Sequence, residues 1–75
     1  MQVKTYRIHD CGQKFQTEES YDALLGLREY FVAVEKDGEM VEIDKPKRFI
    51  VCPTCGKLIN PFDCRREVVV RKEEQ

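Results

Sequence analysis

The chain has 75 residues, of which 41 % are hydrophobic, 36 % are charged and none is tryptophan. So small a body buries little apolar surface, so a staple beyond the core is expected, yet its patterning is too apolar for a disordered tail. No apolar run approaches the roughly 18 residues of a membrane span. Met1-Gln2-Val3-Lys4 also lacks the apolar stretch of a secretory leader. The expected setting is cytoplasmic, where four cysteines are read as metal ligands before disulfides.

Charge divides the chain. Residues 1–44 hold five bases against ten acids, a net −5, whereas residues 45–72 hold eight bases against Asp63 and Glu67, a net +6. The basic half, through Lys45, Lys47, Arg48, Lys57, Arg65, Arg66 and Arg71, offers a local surface for phosphate or for an acidic protein. Phe49 and Phe62 lie among these charges. They can stack on bases there, or they can be core in a chain with few large apolar residues.

In chain order, Val3–Ile8 alternates like a half-buried strand, and Lys14-Phe15-Gln16 can return beside it after the His9-Asp10-Cys11-Gly12 turn. Thr17-Glu18-Glu19-Ser20 reads as the start of a short helix, with a hydroxyl N-cap and acids near the amino end. Tyr21-Asp22-Ala23-Leu24-Leu25 continues it, and either Gly26 closes it or the helix runs on to Phe31. Asp37-Gly38 between two β-prone runs predicts a two-residue hairpin turn with positive φ at both positions. That register sets Val34 against Val41 and Val32 against Ile43 on one face, with Glu35 against Met40 and Ala33 against Glu42 on the other. Pro46 is expected to end this hairpin. A strand from Lys47 to Val51 then leads into Cys52-Pro53-Thr54-Cys55-Gly56, Asn60-Pro61 marks a turn, and Cys64–Lys72 closes the chain as a strand.

Cys52 and Cys55 are three positions apart on a tight turn, a spacing that lets both thiolates reach one metal at about 2.3 Å. Glycine after the second cysteine permits the left-handed backbone that aims N–H groups at the sulfurs. A second half is offered by His9-Asp10-Cys11-Gly12, since Cys11-Gly12-x-x-Phe15 matches Cys55-Gly56-x-x-Ile59. Its longer imidazole compensates for His9 standing one place nearer than a cysteine would. The candidate ligands are therefore His9, Cys11, Cys52 and Cys55, with Cys64 in place of His9 as the alternative. Cys64 shares a strand face with Val68 and Val70, where small buried cysteines are common without a role.

The two knuckles and their flanking strands resemble the zinc-ribbon superfamily, in the form H-x-C-G followed by C-P-x-C-G. The resemblance implies one structural Zn2+ and a small β-rich α+β domain over residues 1–75. Its antiparallel sheet would carry knuckles at 9–12 and 52–56, an inserted helix and hairpin over about 17–44, and a closing strand over about 64–72. Four soft ligands also suit iron, but a compact structural site favours zinc. Four protein ligands leave no open coordination position, so no enzyme is expected. A redox C-x-x-C is disfavoured because Gly56 and Asn60-Pro61 would break the helix that must follow it.

Zinc ribbons commonly recognise nucleic acid or transcription-machinery proteins, which is the function the resemblance implies. The other class considered is a small protein-binding adaptor or inhibitor, of a virus-encoded or accessory kind, using the acidic insertion with its exposed hairpin.

Overall fold

The structure, a computed structural model, describes residues 2–71. Among these residues seven strands form two antiparallel sheets: β1 (Gln2–Ile8), β2 (Lys14–Asp22), β3 (Gly26–Lys36), β4 (Glu39–Lys47), β5 (Ile50–Val51), β6 (Leu58–Ile59) and β7 (Arg65–Arg71). The larger sheet has the order β4-β3-β2-β1-β7, and β5 pairs with β6 alone. A single 3-10 turn, Pro61–Asp63, joins β6 to β7. Asn60 caps it by accepting from the N–H groups of Phe62 and Asp63, while the Asp63 carboxylate accepts from the Asn60 N–H. No helix among the described residues is long and apolar enough to cross a membrane.

The expected helix over Thr17–Leu25 is replaced by a second hairpin. Thr17 to Asp22 pair with Phe31 to Gly26. The residues read as helix-capping instead serve the sheet: the Thr17 hydroxyl donates to Glu29, and Glu19 pairs with Arg66. Asp22, read as part of the helix, makes the turn by accepting from the N–H groups of Leu24 and Leu25. A helix of about two turns has too few hydrogen bonds to compete with a paired strand of nine residues. The α component of the expected fold is thus reduced to the 3-10 turn.

The Asp37-Gly38 turn forms with φ of 51° and 81° at its two central residues, and Val34, Ala33 and Glu35 take the expected partners Val41, Glu42 and Met40. Val32 does not face Ile43. It is the extra residue of a bulge, because Gln16 and Thr17 pair with Ala33 and Phe31 and skip it. The bulge resets the alternation, so Phe31 and Val34, three positions apart, reach the same face. Nor does Pro46 end the hairpin. It lies within β4, in the stretch left out between the Ala33–Glu42 and Phe31–Lys47 pairs, where a missing N–H on an edge strand costs little.

The core lies on one face of the large sheet. Phe15, Phe31 and Val34 pack there against Cys52, Ile59 and Cys64, with Ile43 and Ile50 at the margin. The Phe15 and Phe31 rings stand 5.0 Å apart at 59°. Next to this cluster, on the same face, is a buried polar network. Arg7 grips both Glu29 carboxylate oxygens at 2.8 and 2.7 Å and donates to the Cys64 carbonyl at 3.2 Å. The Thr17 hydroxyl donates to Glu29 at 2.6 Å. Three strands and the segment entering β7 are tied at one point.

Candidate metal centre

Each half of the centre grows out of a β-hairpin. His9 and Cys11 sit in the turn between β1 and β2, where the His9 N–H donates to the Gln13 carbonyl and the Gly12 N–H donates to the His9 carbonyl. Cys52 and Cys55 sit between β5 and β6, where the Cys52 N–H donates to the Lys57 carbonyl and the Gly56 N–H donates to the Cys52 carbonyl. The two turns thus use the same pair of closures, with knuckle 2 one residue longer. Gly12 and Gly56, at φ of 93° and 76°, hold the left-handed conformation each closure needs.

These turns bring four donors together, with one ligand atom from each of His9, Cys11, Cys52 and Cys55 and all four within 4.8 Å of one another. The His9 Nδ1 lies 3.2 Å from the Cys11 sulfur and 3.5 Å from the Cys55 sulfur, and the Cys11 and Cys52 sulfurs are 3.4 Å apart. A tetrahedral ion with bonds of about 2.0–2.3 Å has donor–donor edges of about 3.5–3.8 Å. Donor type and spacing therefore fit one such ion, which would join the two hairpins.

Local electrostatics prepare the sulfurs unequally. Burial pushes the Cys52 thiol up, but the N–H groups of Cys55 and Thr54 and the neighbouring thiols outweigh it and hold the thiol below its ordinary value. The Cys11 thiol moves up: a hydrogen bond from the Gln13 backbone opposes the rise, while burial and the sulfurs of Cys52 and Cys55 drive it. Between the knuckles, the Thr54 hydroxyl donates to the Gln13 side chain at 2.7 Å, and Gln13 donates to the Glu35 carbonyl at 2.8 Å. Gln13 thereby braces both turns against β3, a role for which the sequence carried no signal.

Cys64 stands apart from the four. It is buried in the core, its sulfur 3.8 Å from the Asn60 carbonyl, and burial with the nearby Asp63 charge pushes its thiol up to about 11. It packs as a small apolar residue.

The basic residues expected to form one surface are dispersed. Lys45 and Lys47 lie on β4 and Arg65, Arg66 and Arg71 on β7, at opposite edges of the sheet. Arg66 is held by Glu19 at 3.0 Å. Lys57 directly follows knuckle 2, and the Arg48 guanidinium stands 5.9 Å from the Phe49 ring. Phe49 and Phe62 are not core: they are 52 % and 79 % exposed. They line a cleft of about 170 Å³ with Leu27, Arg28, Arg48 and Pro61. Arg28, absent from the expected set, comes from the acidic half of the sequence and enters the cleft only because Thr17–Asp22 is a strand and brings β3 alongside.

No protein-family model, curated protein or solved structure matches the chain. What stands on the structure is a His/Cys3 cluster within a small β-rich chain.

Proposed function

We infer that the chain is a non-enzymatic recognition module, stapled by one structural zinc in the manner of a zinc ribbon, and that it binds single-stranded nucleic acid of the kind handled in transcription. The ion would be held by His9, Cys11, Cys52 and Cys55 and would supply the cross-link that a core of this size lacks.

The observation that carries this reading is the cleft between β3 and the open end of the β5–β6 hairpin. Two exposed phenylalanine rings there flank Arg28 and Arg48, neither of which has an ion-pair partner among the described residues. The Arg28 Nε is buried without a hydrogen-bond acceptor. Glu29, the one acid on the wall, is engaged by Arg7 and Thr17 and does not neutralise the arginines. Exposed aromatic faces beside guanidinium groups that make no ion pair suit a stacked base with its phosphate.

The test is fluorescence anisotropy of labelled single-stranded oligonucleotides of about 12 nucleotides, a length typical of such grooves, titrated over a range of salt. Binding should fall steeply with salt, weaken by about 1–3 kcal/mol in Phe62→Ala, and lose salt dependence by about 0.7 in log–log slope per phosphate contact removed in Arg28→Ala and Arg48→Ala. No binding at low salt, or binding indifferent to all three changes, would overturn the reading.

A second reading is favoured by a different observation. Tyr21, Leu24, Leu25 and Leu27, at the tip of the β2–β3 hairpin, are 76 %, 95 %, 60 % and 62 % exposed. Such an apolar tip, on a hairpin in the acidic half, suits an adaptor docking on a protein. Binding of that kind would be lost in Leu24→Ser with Leu25→Ser and would survive Arg48→Ala.

A further inference from the structure

The two edges of the large sheet are built differently. On β4 the ladder is interrupted, Pro46 lies within the strand, and Lys45 and Lys47 flank it, features that discourage another strand from adding. β7 shares only the flanking charges, as Arg65, Arg66 and Arg71, and has neither the interruption nor the proline. It extends over seven residues, pairs without irregularity along β1, and contains neither proline nor glycine. At its centre are Val68, Val69 and Val70, exposed by 45 %, 38 % and 54 %, and Val3, opposite Val70 on β1, is 57 % exposed.

Along this open edge the order Glu67-Val68-Val69-Val70-Arg71 is complementary to itself when read antiparallel. With Val69 opposite its own copy, Val68 meets Val70 twice on the face that carries the core. On the other face Glu67, which Lys14 also contacts at 3.4 Å within its own chain, meets Arg71 twice. Moving the centre to Val68 sets Arg65 against Arg71, two like charges on one face. Moving it to Val70 sets Val69 against Arg71 and removes Glu67 from its partner. Over Glu67–Arg71, charge therefore favours the register centred on Val69.

We propose that a second copy of this chain pairs with β7 in that register, joining the two five-stranded sheets across a two-fold axis at Val69. The axis of such an antiparallel pair is perpendicular to the sheet, so both copies present the same face to the same side. The two Phe49–Phe62 clefts and the two metal centres then lie on one side of a continuous sheet, and one extended ligand can engage both copies. The pairing rests on β7 alone and stands whatever occupies the cleft.

Sedimentation velocity of the metal-loaded protein over about 1–500 µM, a range spanning weak to moderate self-association, reads the outcome directly. A species of twice 8.9 kDa is expected to grow with concentration. Val69→Lys should abolish it. Glu67→Arg and Arg71→Glu should each weaken it by roughly tenfold, because two cross-strand ion pairs become two repulsions, and the double exchange should restore it. Unchanged metal content and circular dichroism establish that each variant is folded. A monomer throughout the range would overturn the proposal, and so would a dimer indifferent to Val69→Lys, which would place the contact at another surface such as the leucine hairpin tip.

Discussion

The two knuckles use one pattern in two settings, and the difference shows what a bound metal would have to do. Knuckle 1 is the turn of a hairpin whose strands belong to a five-stranded sheet, with β1 paired along its length to β7. Knuckle 2 closes a ladder of only two pairs, Ile50–Ile59 and Val51–Leu58. Outside that ladder, residues 50–64 are held by the capped 3-10 turn, by Cys52, Ile59 and Cys64 packing on Phe15, Phe31 and Val34, and by two side-chain hydrogen bonds, Thr54 to Gln13 and Arg7 to the Cys64 carbonyl. A two-strand pair is not stable alone in water. Knuckle 1 should therefore stand without an ion, whereas knuckle 2 is expected to depend on one.

Metal removal should break the comparison most visibly. Chelation, or Cys52→Ser, is expected to raise amide hydrogen exchange across residues 50–64 by orders of magnitude, since structural zinc supplies on the order of 10 kcal/mol in small domains. Exchange in β1, β2 and β3 should change far less. Equal loss across both regions would show that the sheet also depends on the ion.

A break on the opposite side is expected from Glu29→Ala. It leaves the Arg7 guanidinium buried and unpaired, at a cost of about 3–5 kcal/mol in urea unfolding, and loosens the sheet while the knuckles keep their ligands. The same pair carries a pH dependence. The Arg7 guanidinium, with Thr17, holds the Glu29 carboxyl below its ordinary 4.5 against the opposing effect of burial. A lowered carboxylate value gives stability that is complete above 4.5 and is lost as pH falls through the lower folded value. In Glu29→Gln this part of the acid sensitivity should vanish, as read from urea midpoints between about pH 5 and pH 3.

A smaller effect sharpens the comparison of spacings. His9→Cys alone should weaken metal binding, because a shorter side chain must span a knuckle one residue short. His9→Cys with one residue inserted before Cys11 reproduces the spacing of Cys52 and Cys55 and should restore it. Competition with a chromogenic chelator measures both. The smallest change is expected from Cys64→Ala, a core truncation costing about 1–2 kcal/mol with metal content unchanged.

Residue order made some of this legible and concealed the rest. The ligand turns could be read because their chemistry is local: Cys52 and Cys55 with Gly56, and His9 and Cys11 with Gly12, each fit within five residues. Asp37-Gly38 was legible for the same reason. The strand at Thr17–Asp22 was not, because Thr17-Glu18-Glu19-Ser20 has the same composition as a helix start, and what decides it are partners far along the chain, Glu29 and Arg66. The Val32 bulge and the Arg7–Glu29 pair are likewise tertiary. Their only trace was a charged residue on the inward face of each strand, with Arg7 following Val3 and Thr5 and Glu29 preceding Phe31. The cleft escaped notice because Arg28 and Arg48 come from halves of opposite net charge.

Elemental analysis of protein purified without chelator, for wild type, His9→Ala and Cys64→Ala, tests the central claim most directly. One zinc per chain is predicted in wild type and in Cys64→Ala, with loss in His9→Ala. Loss in Cys64→Ala with retention in His9→Ala, or no metal in wild type, would contradict it.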